Sequence, residues 1–303
     1  RLKHMKLISL PRSGALLWAG VLAGLLGVSQ IAEAAGKKVL VVTTTTGFRH
    51  SSIPTAEKVL GELAAQSKDF IVEYARVEPN DPQFRGPDGK PVKAKVDEAI
   101  EKVLAEKMSA AALKTYDAII FANTTGDLPV PDKAAFLEWI KSGKGFVGMH
   151  SATDTFHGYP EFIEMIGGEF KSHGAQVEVE AINQDQSCPA CRHLGETWKV
   201  YDEIYLFKNF DASKVHGLLT LDKQPNDKTP GNYPVAWCKE YGKGRVFYTS
   251  LGHREDIWDA NTPADFKRMN SKEIALAYQQ HILGGIKWAL GMEGWKPKAL
   301  PRE

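Results

Sequence analysis

Cysteine is scarce in this chain, and the three present include a single C-x-x-C pair, Cys188 and Cys191. A zinc ribbon needs a second pair, and an attached haem needs histidine directly after the second cysteine, where Arg192 precedes His193. What is left for the pair is a local disulfide, allowed in an exported chain, or two free thiols in a loop. Cys238 lies in a strand-like apolar run and reads as core. An excess of either charge is also missing. The 38 Lys and Arg against 37 Asp and Glu leave a net +1, no field for nucleic acid or an anionic membrane face. A small neutral or weakly charged ligand suits that balance. After residue 28 no apolar run approaches the roughly 20 residues of a membrane span, so no stable insertion is expected. Internal repeats, low-complexity tracts and a linker able to divide the chain are absent as well.

What is there begins with Met5, Lys6 and Arg12, an apolar stretch over residues 15–28, and Ala32-Glu33-Ala34. Cationic start, short apolar run and small residues at A-x-A spacing read as a signal peptide over residues 1–34, with 1–4 ahead of its plausible start. A periplasmic or secreted protein is the expectation, with residues 35–303 as one domain. At 43% hydrophobic and 25% charged, the chain can bury a full globular core.

From Lys38 the sequence reads K-V-L-V-V-T and runs into the polar segment 43–50, as a strand buried on both faces does. Pro54 stands at a helix start, followed by Ala56, Val59, Leu60 and Leu63 at helical spacing. Residues 70–77, 117–122 and 145–150 read as further strands, and 96–113 and 131–142 as helices. Residues 78–93, rich in proline and glycine, read as a surface excursion. Strands alternating with helices predict an α/β fold, a mostly parallel sheet of flavodoxin-like order with helices on both faces. Beyond Gly167-Gly168, short strands are expected at 177–182, 203–207 and 215–221. Strands at 235–239 and 245–250 then flank E-Y-G-K-G as a C-terminal β-hairpin. An amphipathic helix follows over 273–290.

Three of the nine histidines, His50, His150 and His253, follow strands closely. Loops leaving the C-terminal strand ends of an open parallel sheet border its ligand crevice, so these imidazoles are expected to converge. His173, in G-G-E-F-K-S-H-G, is read as lying outside strands and helices and folding back onto the same rim. Thr45, Asn123, Thr124, Ser151 and Asp154 add hydroxyl, amide and carboxylate groups. Neutral imidazoles hold a divalent metal, zinc or similar, or pass protons near neutral pH; each could equally cap or pack its own loop. No H-x-H or H-E-x-x-H spacing singles out the metal. Asp202-Glu203 leads two carboxylates into an apolar strand, where only one can face a given pocket as acid, base or hydroxyl binder.

Five segments occur in order: T-T-T-G-F-R-H-S-S-I-P (44–54), G-M-H-S-A-T-D-T-F (148–156), G-G-E-F-K-S-H (167–173), D-E-I-Y (202–205), and P-V-A-W through Y-G-K-G-R-V-F-Y-T-S-L-G-H (234–253). Together they resemble the ThuA-like (trehalose utilisation) family, which is similar in fold to class I glutamine amidotransferases. In those enzymes a nucleophilic cysteine occupies the sharp turn after a strand, where this chain has His150. Their triad ends in H-x-E after a late strand, a spacing His253-Arg254-Glu255 reproduces. Without the thiol no glutamine thioester forms, and Ser151 stands one step off the turn, so ammonia transfer is not expected.

The resemblance implies sugar catabolism, with a disaccharide or 3-keto sugar as the small-molecule partner. The reaction would be acid/base or metal-assisted elimination, hydration or hydrolysis, since a keto group acidifies the neighbouring C–H. In that scheme His50, His150 and His253 hold the metal, and His150, His173, Asp154, Glu203 and Glu255 carry protons. Thr45, Arg49, Asn123, Thr124, Ser151 and Arg254 bind substrate. The alternative is a non-catalytic carbohydrate binder on the same fold, with Phe48, Phe156, Tyr159 and Trp258 stacking on sugar rings.

Overall fold

The computed structural model describes residues 36–297. The signal-peptide reading of residues 1–34 therefore lies outside the described residues. Strands Lys37–Val42 (β1), Phe70–Ala75 (β2), Ala118–Ala122 (β3) and Gly145–Met149 (β4) alternate with helices Ile53–Ser67 (α1), Lys93–Lys107 (α2), Ala110–Leu113 (α3) and Lys133–Lys141 (α4). Helix Pro160–Ile166 (α5) and strands Glu169–His173 (β5), Val177–Asn183 (β6), Thr197–Asp202 (β7), Tyr205–Lys208 (β8) and His216–Lys223 (β9) follow. Strands Pro230–Tyr241 (β10) and Gly244–Thr249 (β11) form the expected hairpin, then come helices Glu255–Trp258 (α6) and Lys272–Ala289 (α7).

Nine strands make one sheet in the order β2-β1-β3-β4-β11-β10-β9-β6-β7. Strands β2 to β11 pair in parallel, the flavodoxin-like half, and β10, β9, β6 and β7 extend it antiparallel. Strands β5 and β8 pair separately. The unbroken apolar run of β1 is explained by cover on both faces: Val39 and Val41 join α1 and α7 in one core, Leu40 and Val42 join α2, α4 and α5 in the other. Among the described residues no helix is long and apolar enough to cross a membrane.

Three local readings are corrected. Residues 96–113 are two helices, because the Ser109 side chain accepts the Ala112 N–H at 3.2 Å and starts α3. His173 ends strand β5, paired with Tyr205, and is no free loop. The strand placed at 203–207 begins only at Tyr205. Glu203 stands in the turn after β7, held by its N–H donating to Asp202 Oδ1 at 2.9 Å.

The three cysteines are free and buried. The turn Cys188-Pro189-Ala190-Cys191 docks on α7, where His281 Nδ1 donates to the Ala190 carbonyl at 2.8 Å. Burial holds His281 down to about 4 from the usual 6.5. Below pH 6.5 the unfolded chain gains a proton here that the folded chain refuses, so stability falls as pH drops towards 4. At pH 5 the deficit from this one group is about 2 kcal/mol. A His281→Gln variant should therefore lose that much less stability than the parent between pH 7.5 and 5, measured by denaturant unfolding. Parallel losses in the two proteins would remove His281 from the pH response.

Candidate metal centre

Strands β1, β3, β4 and β11 run in parallel, so the chain leaves all four at one edge of the sheet. His50, Asn123, His150 and His253 stand in the segments that follow them. Two of these turns are sharp: Asn123 and His150, each directly after its strand, have φ of 57° and 50°. Such backbone in residues with a Cβ marks a position fixed by its surroundings. It is also the turn in which the amidotransferase comparison placed His150.

His150 is fully buried, and its Nδ1 donates to the Ser250 carbonyl at 2.8 Å. That bond fixes the tautomer and leaves Nε2 with its lone pair. His50 Nε2 and His253 Nδ1 each lie 3.2 Å from that atom. Glu203 Oε1 lies 3.8 Å from His150 Nε2 and 3.3 Å from His253 Nδ1. All four donor atoms fall within 4.8 Å of one another. Donors bonded at about 2.0–2.1 Å to a tetrahedral ion sit roughly 3.3 Å apart, so this set has the size a zinc-like cation needs. Burial lowers His50 to about 4, with the His253 charge adding to the effect. Burial, then the His50 and His253 charges, lower His150 as well. Both rings therefore stay neutral at neutral pH and keep their lone pairs. Burial also works against charge on His253, but its bond to Glu203 prevails and its pKa rises.

The remaining residues divide by position. His173 Nδ1 lies 3.0 Å from Glu203 Oε2, on the cluster's outer side. Ser151 Oγ is 3.4 Å from His50 Nδ1. Asn123 is buried, and its amide donates to Ser52 Oγ and the Gly252 carbonyl at 2.8 and 2.9 Å, tying two site loops together. Thr124 Oγ1 pairs with Thr155 Oγ1 at 2.8 Å, and Thr45 Oγ1 lies 3.1 Å from the Thr125 carbonyl. Arg49 pairs with Glu78 at 2.9 Å, while Arg254 is committed to Asp256 and Gln176, both at 2.8 Å. Asp154 bonds to His157, whose other nitrogen lies 2.9 Å from buried Glu169. Glu255 opens α6 and acts on His253 only through space; the hydrogen-bonded carboxylate is Glu203. Asp202 lies behind the site, fully buried, accepting the Gly252 N–H at 2.7 Å.

Sequence reasoning gave no role to Tyr205, whose hydroxyl lies 3.2 Å from His150 Nε2. Its only signal was its place in D-E-I-Y, two residues after Glu203.

Among solved structures the chain is similar to a ThuA-like protein from Parabacteroides merdae ATCC 43184, 20% identical with a TM-score of 0.60, covering 86% of this chain and 92% of that one. A ThuA-like protein from Bacteroides uniformis ATCC 8492 is 17% identical with a TM-score of 0.59, over 86% and 94% of the two chains. Such likeness speaks for the fold. No curated protein matches the chain. The sequence model of the ThuA family, described as trehalose utilisation, matches residues 38–289, and the chain belongs to that family.

Proposed function

We propose that this chain is an exported enzyme of sugar catabolism that acts on a disaccharide or its 3-keto derivative, moving a proton beside the keto group of the oxidised sugar. His50, His150, His253 and Glu203 would hold a divalent cation such as zinc. The observation that carries the reading is the meeting of four donor atoms from four separate chain segments within 4.8 Å. Imidazole and carboxylate are the donor types of catalytic cation sites, and a bound cation that accepts a fifth ligand beside these four would polarise a carbonyl and stabilise the enolate that forms.

The side chains around the cluster supply the rest. Glu203 turns one oxygen to the histidines and the other to His173 Nδ1, which favours a one-oxygen donor. His173 Nδ1 also lies 2.9 Å from the Gly174 carbonyl, so it donates and leaves Nε2 free to take a proton. This ring is about half exposed, where an entering substrate would meet it. Burial raises the pKa of Asp154, and its bond to His157 opposes the rise; a carboxyl so placed suits return of the proton. Elemental analysis of the purified protein is expected to find one equivalent of a divalent metal. A metal-free protein that takes up neither zinc nor manganese on titration would overturn the reading.

Of the aromatics named as sugar platforms, Phe156 and Trp258 are buried in the core and cannot stack on a ligand. Phe48 is 67% exposed, its ring edge-on to His50 with centroids 4.9 Å apart. Aromatic contacts contribute about 0.5–1.5 kcal/mol beyond area, so Phe48→Ala should weaken trehalose binding about tenfold with unfolding unchanged. Equal affinities by calorimetry would take Phe48 out of the binding surface.

A further inference from the structure

We propose that the Tyr205 hydroxyl is the donor that receives the substrate's carbonyl or enolate oxygen beside the histidine cluster. The inference rests on the metal-centred reading above and adds a residue and a ligand class to it. It follows from counting lone pairs. His150 Nδ1 is spent as a donor to Ser250, so Nε2 has one lone pair to offer. Three groups compete for it at 3.2 Å: His50 Nε2, His253 Nδ1 and Tyr205 Oη. A cation held by the histidines would take that pair, and Tyr205 would then lose the hydrogen-bond partner it has among the described residues.

The packing fixes where the phenol points. Tyr205 is 3% exposed, and its ring packs on Phe170, His150 and Phe207 with centroids 4.4, 4.6 and 6.4 Å apart. A buried O–H without an acceptor is strongly disfavoured, and a phenol at neutral pH is a donor. With its ring so held, the hydroxyl stays directed at the cluster, where an oxygen of a bound ligand, taking the place of water, would be its acceptor. An oxygen that gains negative charge during proton removal is the best one, because hydrogen bonds to charged oxygen are the stronger kind. The ligand class is a small hydroxy-carbonyl compound able to present such an oxygen next to the cation.

The test uses the full chain loaded with cobalt(II), as wild type and Tyr205→Phe, titrated with acetohydroxamate, a planar oxygen donor, and followed by visible absorption. Both proteins are expected to bind one equivalent of cobalt with the same probe-free spectrum, which also shows that the variant is folded. The Kd for acetohydroxamate should rise about tenfold in the variant, the loss of one hydrogen bond to a charged oxygen. Equal Kd values overturn the proposal. A probe-free spectrum changed by the substitution overturns it too, since Tyr205 would then be a ligand of the cation. Failure of both proteins to bind cobalt is a different result: it removes the metal-centred reading, and this inference with it.

Discussion

His150→Asn is expected to lose stoichiometric metal, and with it turnover, while the protein remains folded. Asparagine suits the replacement because it tolerates the left-handed backbone that His150 adopts at φ 50° better than most residues. Its amide can still donate towards the Ser250 carbonyl. What disappears is Nε2, the atom around which His50, His253 and Glu203 are arranged. Whole four-donor sites bind zinc with about 10–16 kcal/mol, roughly 3 kcal/mol per donor, so affinity should fall about a hundredfold or more. Elemental analysis after dialysis against a weak chelator, beside a thermal unfolding curve, reads both halves of the expectation. A folded variant that keeps a full equivalent of metal would sink the ligand assignment.

The largest effect on stability is expected at Gly284, in the middle of α7. A Cβ built there would stand 2.3 Å from the Pro189 carbonyl oxygen and 2.5 Å from its carbon. Both are backbone atoms of the docked Cys188–Cys191 turn, so no side chain can move aside. Glycine inside a helix ordinarily costs about 1 kcal/mol relative to alanine; here it permits helix and turn to touch. Gly284→Val adds three carbons to that contact and should destabilise by roughly 3 kcal/mol or more, the upper range for overpacking. Denaturant unfolding would show it as a lower midpoint with an unchanged slope. A variant as stable as the parent would mean that the turn docks far more loosely than the distances imply.

How far the sequence announced all this depends on burial. Strands β1, β3, β4 and β11 are covered on both faces, so Val39 to Val42 or Ile119 to Phe121 appear as unbroken apolar runs. The histidines at their ends could be placed on one edge for the same reason. Strands β5 and β7 carry alternating or mostly exposed residues, such as Thr197 and Lys199, and gave no comparable signal. The neighbourhood of Glu203 and Tyr205 depends on β5 and β8 pairing with each other away from the main sheet. No local spacing encodes that partnership. The H-x-E spacing pointed to Glu255 as the carboxylate beside His253. A residue fifty positions earlier holds that place, because the turn after β7 is drawn in by the Gly252 N–H on Asp202.

The four donors are spread along the chain from residue 50 to residue 253, with none adjacent in sequence. During synthesis no complete set exists until the ribosome has delivered residue 253 and β11 has been inserted between β4 and β10. Cation capture would thus come as a closing event in biogenesis, and any truncated or clipped product missing one of those loops would be left with an incomplete cage.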